Sequence, residues 1–202
     1  MDRLASEAAA AFDARFAARE QGLAGSRRVI RDSANAIRAL HRGDRETAAQ
    51  LTATARATLR SVEAALGQHP EVRYAGFVDD AAKEYAEAEL TARLIDDQPL
   101  PTPGELGVGW APYLNGLGET VGELRRHLLD RLRAGELEPA EAVLGRMDRI
   151  FDVLTSLDYP DGMTGGLRRT TDAARALIER SRSDLTLTLV QERLRRELAA
   201  GR

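Results

Sequence analysis

Apolar positions recur at three- and four-residue intervals along almost the whole chain, which is the period of an amphipathic helix. A first helix is expected over about Leu4 to Gln21, stopping at Gly22. A second begins near Ser26, with Val29, Ile30, Ala34, Ile37 and Leu40 at helical spacing and a stop at Gly43-Asp44. Asp44 is placed to cap a third segment, with Thr47 where a capping-box partner would stand. That segment carries Leu51, Ala55, Leu59, Val62 and Leu66 and ends at Gly67 and Pro70. The next helix spans about Glu71 to Asp96. Asp97 to Gly109, with Pro99, Pro101, Pro103, Gly104, Gly107 and Gly109, is the longest irregular piece. Further helices follow over about Trp110 to Arg133, from near Pro139 to Leu157, and over about Thr164 to Leu198, the last two separated by a turn at Asp158–Gly162. No βαβ rhythm and no solenoid-like repeat interrupts the pattern. The expected fold is all-α, a single-domain bundle of about seven helices, several of them long.

Composition agrees with this reading. Aromatic residues are only 4% of the 202, so leucine, alanine and valine must fill the core, and the first two are strong helix formers. Cysteine is absent, which excludes disulfides, thiolate zinc sites and a cysteine nucleophile, and fits a cytoplasmic protein. No apolar run reaches the roughly 18 residues of a membrane helix, so no membrane partner is expected. The net charge of −3 exerts no global pull on nucleic acid. Lys83 is the sole lysine among the 29 basic residues, so the rest are arginine, whose planar fork grips phosphate. Arginine codons of a GC-rich genome are the favoured account of this bias.

Chemistry is sparse in the sequence. Asp80, Glu84 and Glu87 fall at three- and four-residue spacing and form an acidic stripe on one helix face. Like charges at this spacing repel, so either solvent screens them or a cation sits among them. Magnesium takes such carboxylate oxygens, although a solvated face is the commoner outcome. Glu119 and Glu123 lie four apart, as do Asp148 and Asp152, and Asp152 has the apolar neighbours Ile150, Phe151, Val153 and Leu154. The histidines His41, His69 and His127 do not follow a glutamate by three residues, which excludes a ferritin-like di-iron site. Phosphate-loop, dinucleotide, HExxH and GxSxG patterns are also missing. Gly104 to Gly109 contains G-x-x-G-x-G, but no strand precedes it and it reads as a loop.

Several segments together resemble the translin family, which comprises translin and translin-associated factor X. The block Trp110–Arg126 resembles a Y-x-x-G … GEL-x-R signature through Tyr113, Gly116, Gly122, Glu123, Leu124 and Arg126. Glu105-Leu106-Gly107-Val108 resembles the segment before it. Ser26-Arg27-Arg28 and Leu40-His41-Arg42 resemble two N-terminal pieces at about the right separation, and Glu84-Tyr85-Ala86-Glu87-Ala88 resembles the E-Y-x-E-A of the factor X branch. The family's N-terminal lysines are absent, and at residues 73–77 only Arg73 carries over.

The resemblance implies a seven-helix fold and a hollow homo-octamer, with or without a paralogous partner, that binds single-stranded RNA or DNA. It also implies a metal-dependent endoribonuclease in the factor X branch, with Glu84, Glu87 and Asp152 as catalytic and metal-holding acids for Mg2+ or Mn2+. Arg73, Arg126 and Arg42 are the expected nucleic-acid contacts. Two other readings stay open: a non-catalytic single-strand binder, and a helical structural or interaction protein.

Overall fold

In a computed structural model, described over residues 1–201, every regular element is a helix. The elements are α1 (Asp2–His41), α2 (Arg45–Leu66), α3 (Pro70–Arg73), α4 (Phe77–Ile95), α5 (Pro103–Leu106), α6 (Trp110–Arg133), α7 (Leu137–Thr155), α8 (Asp161–Thr164) and α9 (Leu167–Ala200). Among the described residues, no helix is long and apolar enough to cross a membrane. The chain divides into two compact units: Met1–Glu89 with Pro101–Tyr113, and Leu90–Leu100 with the chain from Leu114 onward.

The first unit is organised by the antiparallel pair α1 and α2. The buried face of α1 contains Gly22, Gly25, Ser26, Val29, Ser33, Ala36, Ile37 and Leu40, at helical spacing. The buried face of α2 contains Ala48, Thr52, Ala55, Leu59, Val62 and Leu66. Most of these side chains are small, so the two helix axes can approach closely. Gly25 faces Val62, and Gly22 faces Leu66 and Phe77.

This packing corrects the expected break at Gly22. Glycine costs a helix interior about 1 kcal/mol relative to alanine, but here the missing side chain is what admits α2. The helix runs through without interruption for 40 residues. Gly43, at φ +79°, then turns the chain. Asp44 caps α2 as expected by accepting the Thr47 N–H at 3.1 Å. The hydrogen bonds from Thr47 hold the Asp44 carboxyl below its ordinary range.

Two other boundaries differ from the periodic pattern. The expected helix over 71–96 is divided at Tyr74–Gly76 into α3 and α4, because Gly76 sits at φ +98°. The expected helix over 164–198 begins instead at Leu167, after the left-handed Gly165 and Gly166, and the one-turn α8 starts within the expected Asp158–Gly162 turn. Within 97–109 the structure adds α5, closed by a full capping box: Thr102 accepts from the Glu105 N–H, and the Glu105 carboxylate accepts from Thr102.

In the second unit α7 packs on α9. Gly118 of α6 faces Thr170 and Leu154. Asn115 is buried and satisfied on both sides, donating to the Thr164 carbonyl at 2.7 Å and accepting from the Thr170 hydroxyl at 2.7 Å. Arg125 ties α6 to α9 by donating to Ser181 at 2.9 Å and Asp184 at 2.8 Å.

Candidate metal and nucleic-acid residues

Helix α4 carries the acidic stripe, and burial grades it. Asp80 is exposed, Glu84 is half-buried, and Glu87 is only 9% exposed, so the stripe runs from solvent toward the interior along one face. Helical spacing explains this: Val78, Ala81, Ala82, Tyr85 and Ala88 are buried beside the acids and set the orientation of the helix. Lys83 Nζ lies 3.3 Å from Glu84 Oε1 and offsets part of its charge.

Within the first unit, Glu84 and Glu87 stand one turn apart on α4 and offer two carboxylates to a metal ion. They are a hard-oxygen donor set that suits magnesium or manganese and disfavours soft metals. Asp152 belongs to the second unit. It lies on the exposed side of α7, and its backbone carbonyl accepts from Ser156 N–H at 3.2 Å. The apolar neighbours that drew attention to it divide by helical phase: Ile150 and Leu154 are buried, while Val153 is exposed.

Tyr85 stands between the two α4 acids in sequence and is fully buried. Burial first, and the Glu89 carboxylate second, push its phenol up to about 12, against the opposing pull of Arg56 and Arg60. In an unfolded chain the phenol titrates near 10. The folded state therefore holds this proton more tightly. The stability it contributes is complete below about pH 10 and is lost as pH rises through about 12, by roughly 2–3 kcal/mol. Urea unfolding at pH 9 and pH 11.5 checks this, and Tyr85→Phe is expected to reduce the alkaline loss. An unchanged loss in that variant would assign the effect elsewhere.

The three expected arginine contacts meet different fates. Arg73 is largely enclosed and engaged on both sides, donating to Glu63 at 2.7 Å and Asp79 at 2.9 Å, with its guanidinium 5.3 Å from the Tyr74 ring centroid. These carboxylates raise its pKa against the opposing desolvation. The arginine thus braces the α3–α4 turn, and its fork is already filled. Arg42, at the end of α1, and Arg126, on α6, are both exposed.

The segment before α6 brings a further feature. Tyr113 donates to the Pro101 carbonyl at 2.8 Å, and Trp110 makes a T-shaped contact with it at 6.1 Å between ring centroids, with planes at 75°. Burial, and then the nearby Glu105 carboxylate, push the Tyr113 phenol up. Arg56 of α2 donates to the Glu105 carbonyl and so joins α2 to this segment.

No family model matches the chain. The uncharacterized protein MJ0175 of Methanocaldococcus jannaschii is 26% identical over 181 residues, covering 89% of this chain and 80% of that protein. The crystal structure of AfC3PO is 34% identical with a TM-score of 0.86, covering 94% of this chain and 98% of the other. AfC3PO in complex with duplex RNA is also 34% identical, with a TM-score of 0.85 and coverage of 94% and 97%. Apo-NeC3PO, at 22% identity, shares the fold with a TM-score of 0.80 over 93% of this chain and 96% of that one. C3PO is a complex of translin and translin-associated factor X. On this similarity across nearly the full length of both chains, the protein belongs to the translin family.

Proposed function

We propose that this chain binds RNA as a subunit of a C3PO-like oligomer and hydrolyses its phosphodiester bonds with a magnesium or manganese ion, in the manner of the factor X branch. The observation that carries RNA binding is the 34% identity, over 94% of the chain, to AfC3PO, which is known in complex with duplex RNA. Single-stranded RNA is the proposed substrate, single-stranded DNA a further proposed ligand, and an octamer of this chain, with or without a paralogue, the proposed assembly.

The catalytic half of the reading is supported by the donor set. Glu84 and Glu87 of α4 would hold the ion, with Asp152 as the third carboxylate that the family resemblance implies. When bound, such an ion acidifies water and offsets the charge that builds on the phosphate. The chain's own part is to present carboxylate oxygens and to keep the phosphate in place. Arg42 and Arg126 are exposed cations suited to the second task, and their contribution would fall as salt rises. Arg73 is already engaged and is not proposed as a phosphate contact.

A second reading, a non-catalytic RNA binder, draws on the Lys83–Glu84 ion pair, which gives Glu84 a structural partner. Incubation of the purified protein with labelled single-stranded RNA, single-stranded DNA and duplex RNA, in magnesium, manganese or chelator, separates the two. Cleavage of single-stranded RNA that requires metal is the expected result. Binding without cleavage under every metal condition would leave the second reading. Failure to bind any nucleic acid at low salt would leave a structural or interaction protein.

A further inference from the structure

We infer that Trp110 is a stacking platform for an unpaired nucleobase, so that one end of the bound strand is recognised through its base. This rests on the proposed RNA-binding role. Trp110 is the only tryptophan in the chain and is 68% exposed, although tryptophan is a residue that folding strongly tends to bury. The ring is nonetheless held in place. Its contact with Tyr113 is T-shaped, and Tyr113 is itself 7% exposed and anchored to the Pro101 carbonyl. A T-shaped contact supports the ring while leaving at least one of its faces uncommitted to that neighbour.

The surroundings suit a nucleotide. A Cβ built at Gly104 or Gly107 would meet nothing within 4 Å, so the segment is open at these two positions, while Pro103 and Leu106 are buried and anchor it. The one acid of this segment, Glu105, is used in the capping box. Arg56 reaches into the same segment through the Glu105 carbonyl, and the exposed Arg60 follows one turn later on α2. An anchored, exposed indole is the stacking element that single-strand binders use, while cations hold the backbone. A base inside a duplex has both faces covered by its neighbours, and a blunt duplex offers a face only at its two terminal pairs, so the platform favours single strands and overhangs.

Because Trp110 is the only indole, its fluorescence reports this position alone. The experiment titrates the whole protein, in chelator, with a fluorescein-labelled single-stranded RNA and a blunt RNA duplex of equal length. Anisotropy gives binding, and a parallel titration with the unlabelled strands gives tryptophan emission. The expected result is quenching by the single strand and little by the duplex. Trp110→Ala should weaken single-strand binding about tenfold while leaving duplex binding unchanged, and Trp110→Phe should restore most of the loss. Circular dichroism checks that both variants fold. Single-strand binding without quenching, or an unweakened Trp110→Ala, overturns the inference and leaves RNA binding intact. Blue-shifted emission in the free protein that is insensitive to acrylamide also overturns it, because a second copy then covers the ring. No anisotropy change with either RNA removes the underlying reading as well.

Discussion

Glu87→Gln is expected to reduce metal-dependent RNA cleavage by at least about 100-fold. Residues that merely orient metal ligands commonly cost 10–100-fold when changed, and a ligand should cost no less. Glutamine keeps the volume and removes the charge, so the helix should stay folded while the acid is lost. Glu84→Gln should behave alike, although it also releases Lys83 from its 3.3 Å contact. Asp80→Asn is the matched control, since Asp80 starts the same stripe in solvent.

Two readouts make the result specific. Manganese binding followed by calorimetry should fall with cleavage, whereas RNA affinity measured in chelator should not. Asp152→Asn tests the third acid: lost cleavage with retained RNA binding keeps it in the site, and a wild-type rate removes it. Wild-type rates in both Glu84→Gln and Glu87→Gln would sink the metal assignment and leave the acids as structural residues of α4.

Gly25→Ala is expected to destabilise the first unit by about 1–3 kcal/mol, the usual cost of overpacking a core. A Cβ at this position would lie 2.2 Å from Val62 Cγ2, well inside van der Waals contact. Valine is stiff about χ1, so the methyl cannot simply swing away. The gain in helix propensity, about 1 kcal/mol, offsets only part of this. Gly145→Ala in α7 is the contrasting case. Its nearest atom is the flexible end of Arg149 at 3.7 Å, so it should be neutral or mildly stabilising. Urea unfolding followed by circular dichroism measures both. Adding Val62→Ala should recover part of the Gly25→Ala loss. A Gly25→Ala protein as stable as its parent would mean that α1 and α2 can separate at little cost.

The family was legible in the chain before any coordinates, since the Glu84–Ala88 and Trp110–Arg126 segments already resemble translin proteins, and comparison with AfC3PO bears the family out. The three-to-four-residue apolar period was equally legible, because burying one face of a helix requires it, and it located α2 and α6 closely. Local turn chemistry gave the Asp44 cap for the same reason: the capping oxygen and its amide donor lie three residues apart in one chain. The glycines were not legible in this way. Gly22 reads as a stop and is a close-packing position, while Gly76, Gly165 and Gly166 read as helix and are breaks.

Glycine tolerates both roles, and only the presence or absence of a partner helix decides between them. The same limit governs the charged residues. Sequence spacing put Glu84 and Glu87 on one face, yet it could not say that Arg73 would be spent on Glu63 and Asp79. It also could not say that Trp110 would stay exposed. Helical phase is set by neighbours along the chain, and so a sequence carries it. The environment of a charge or a ring is set by residues distant in the chain, and only the tertiary structure brings them together.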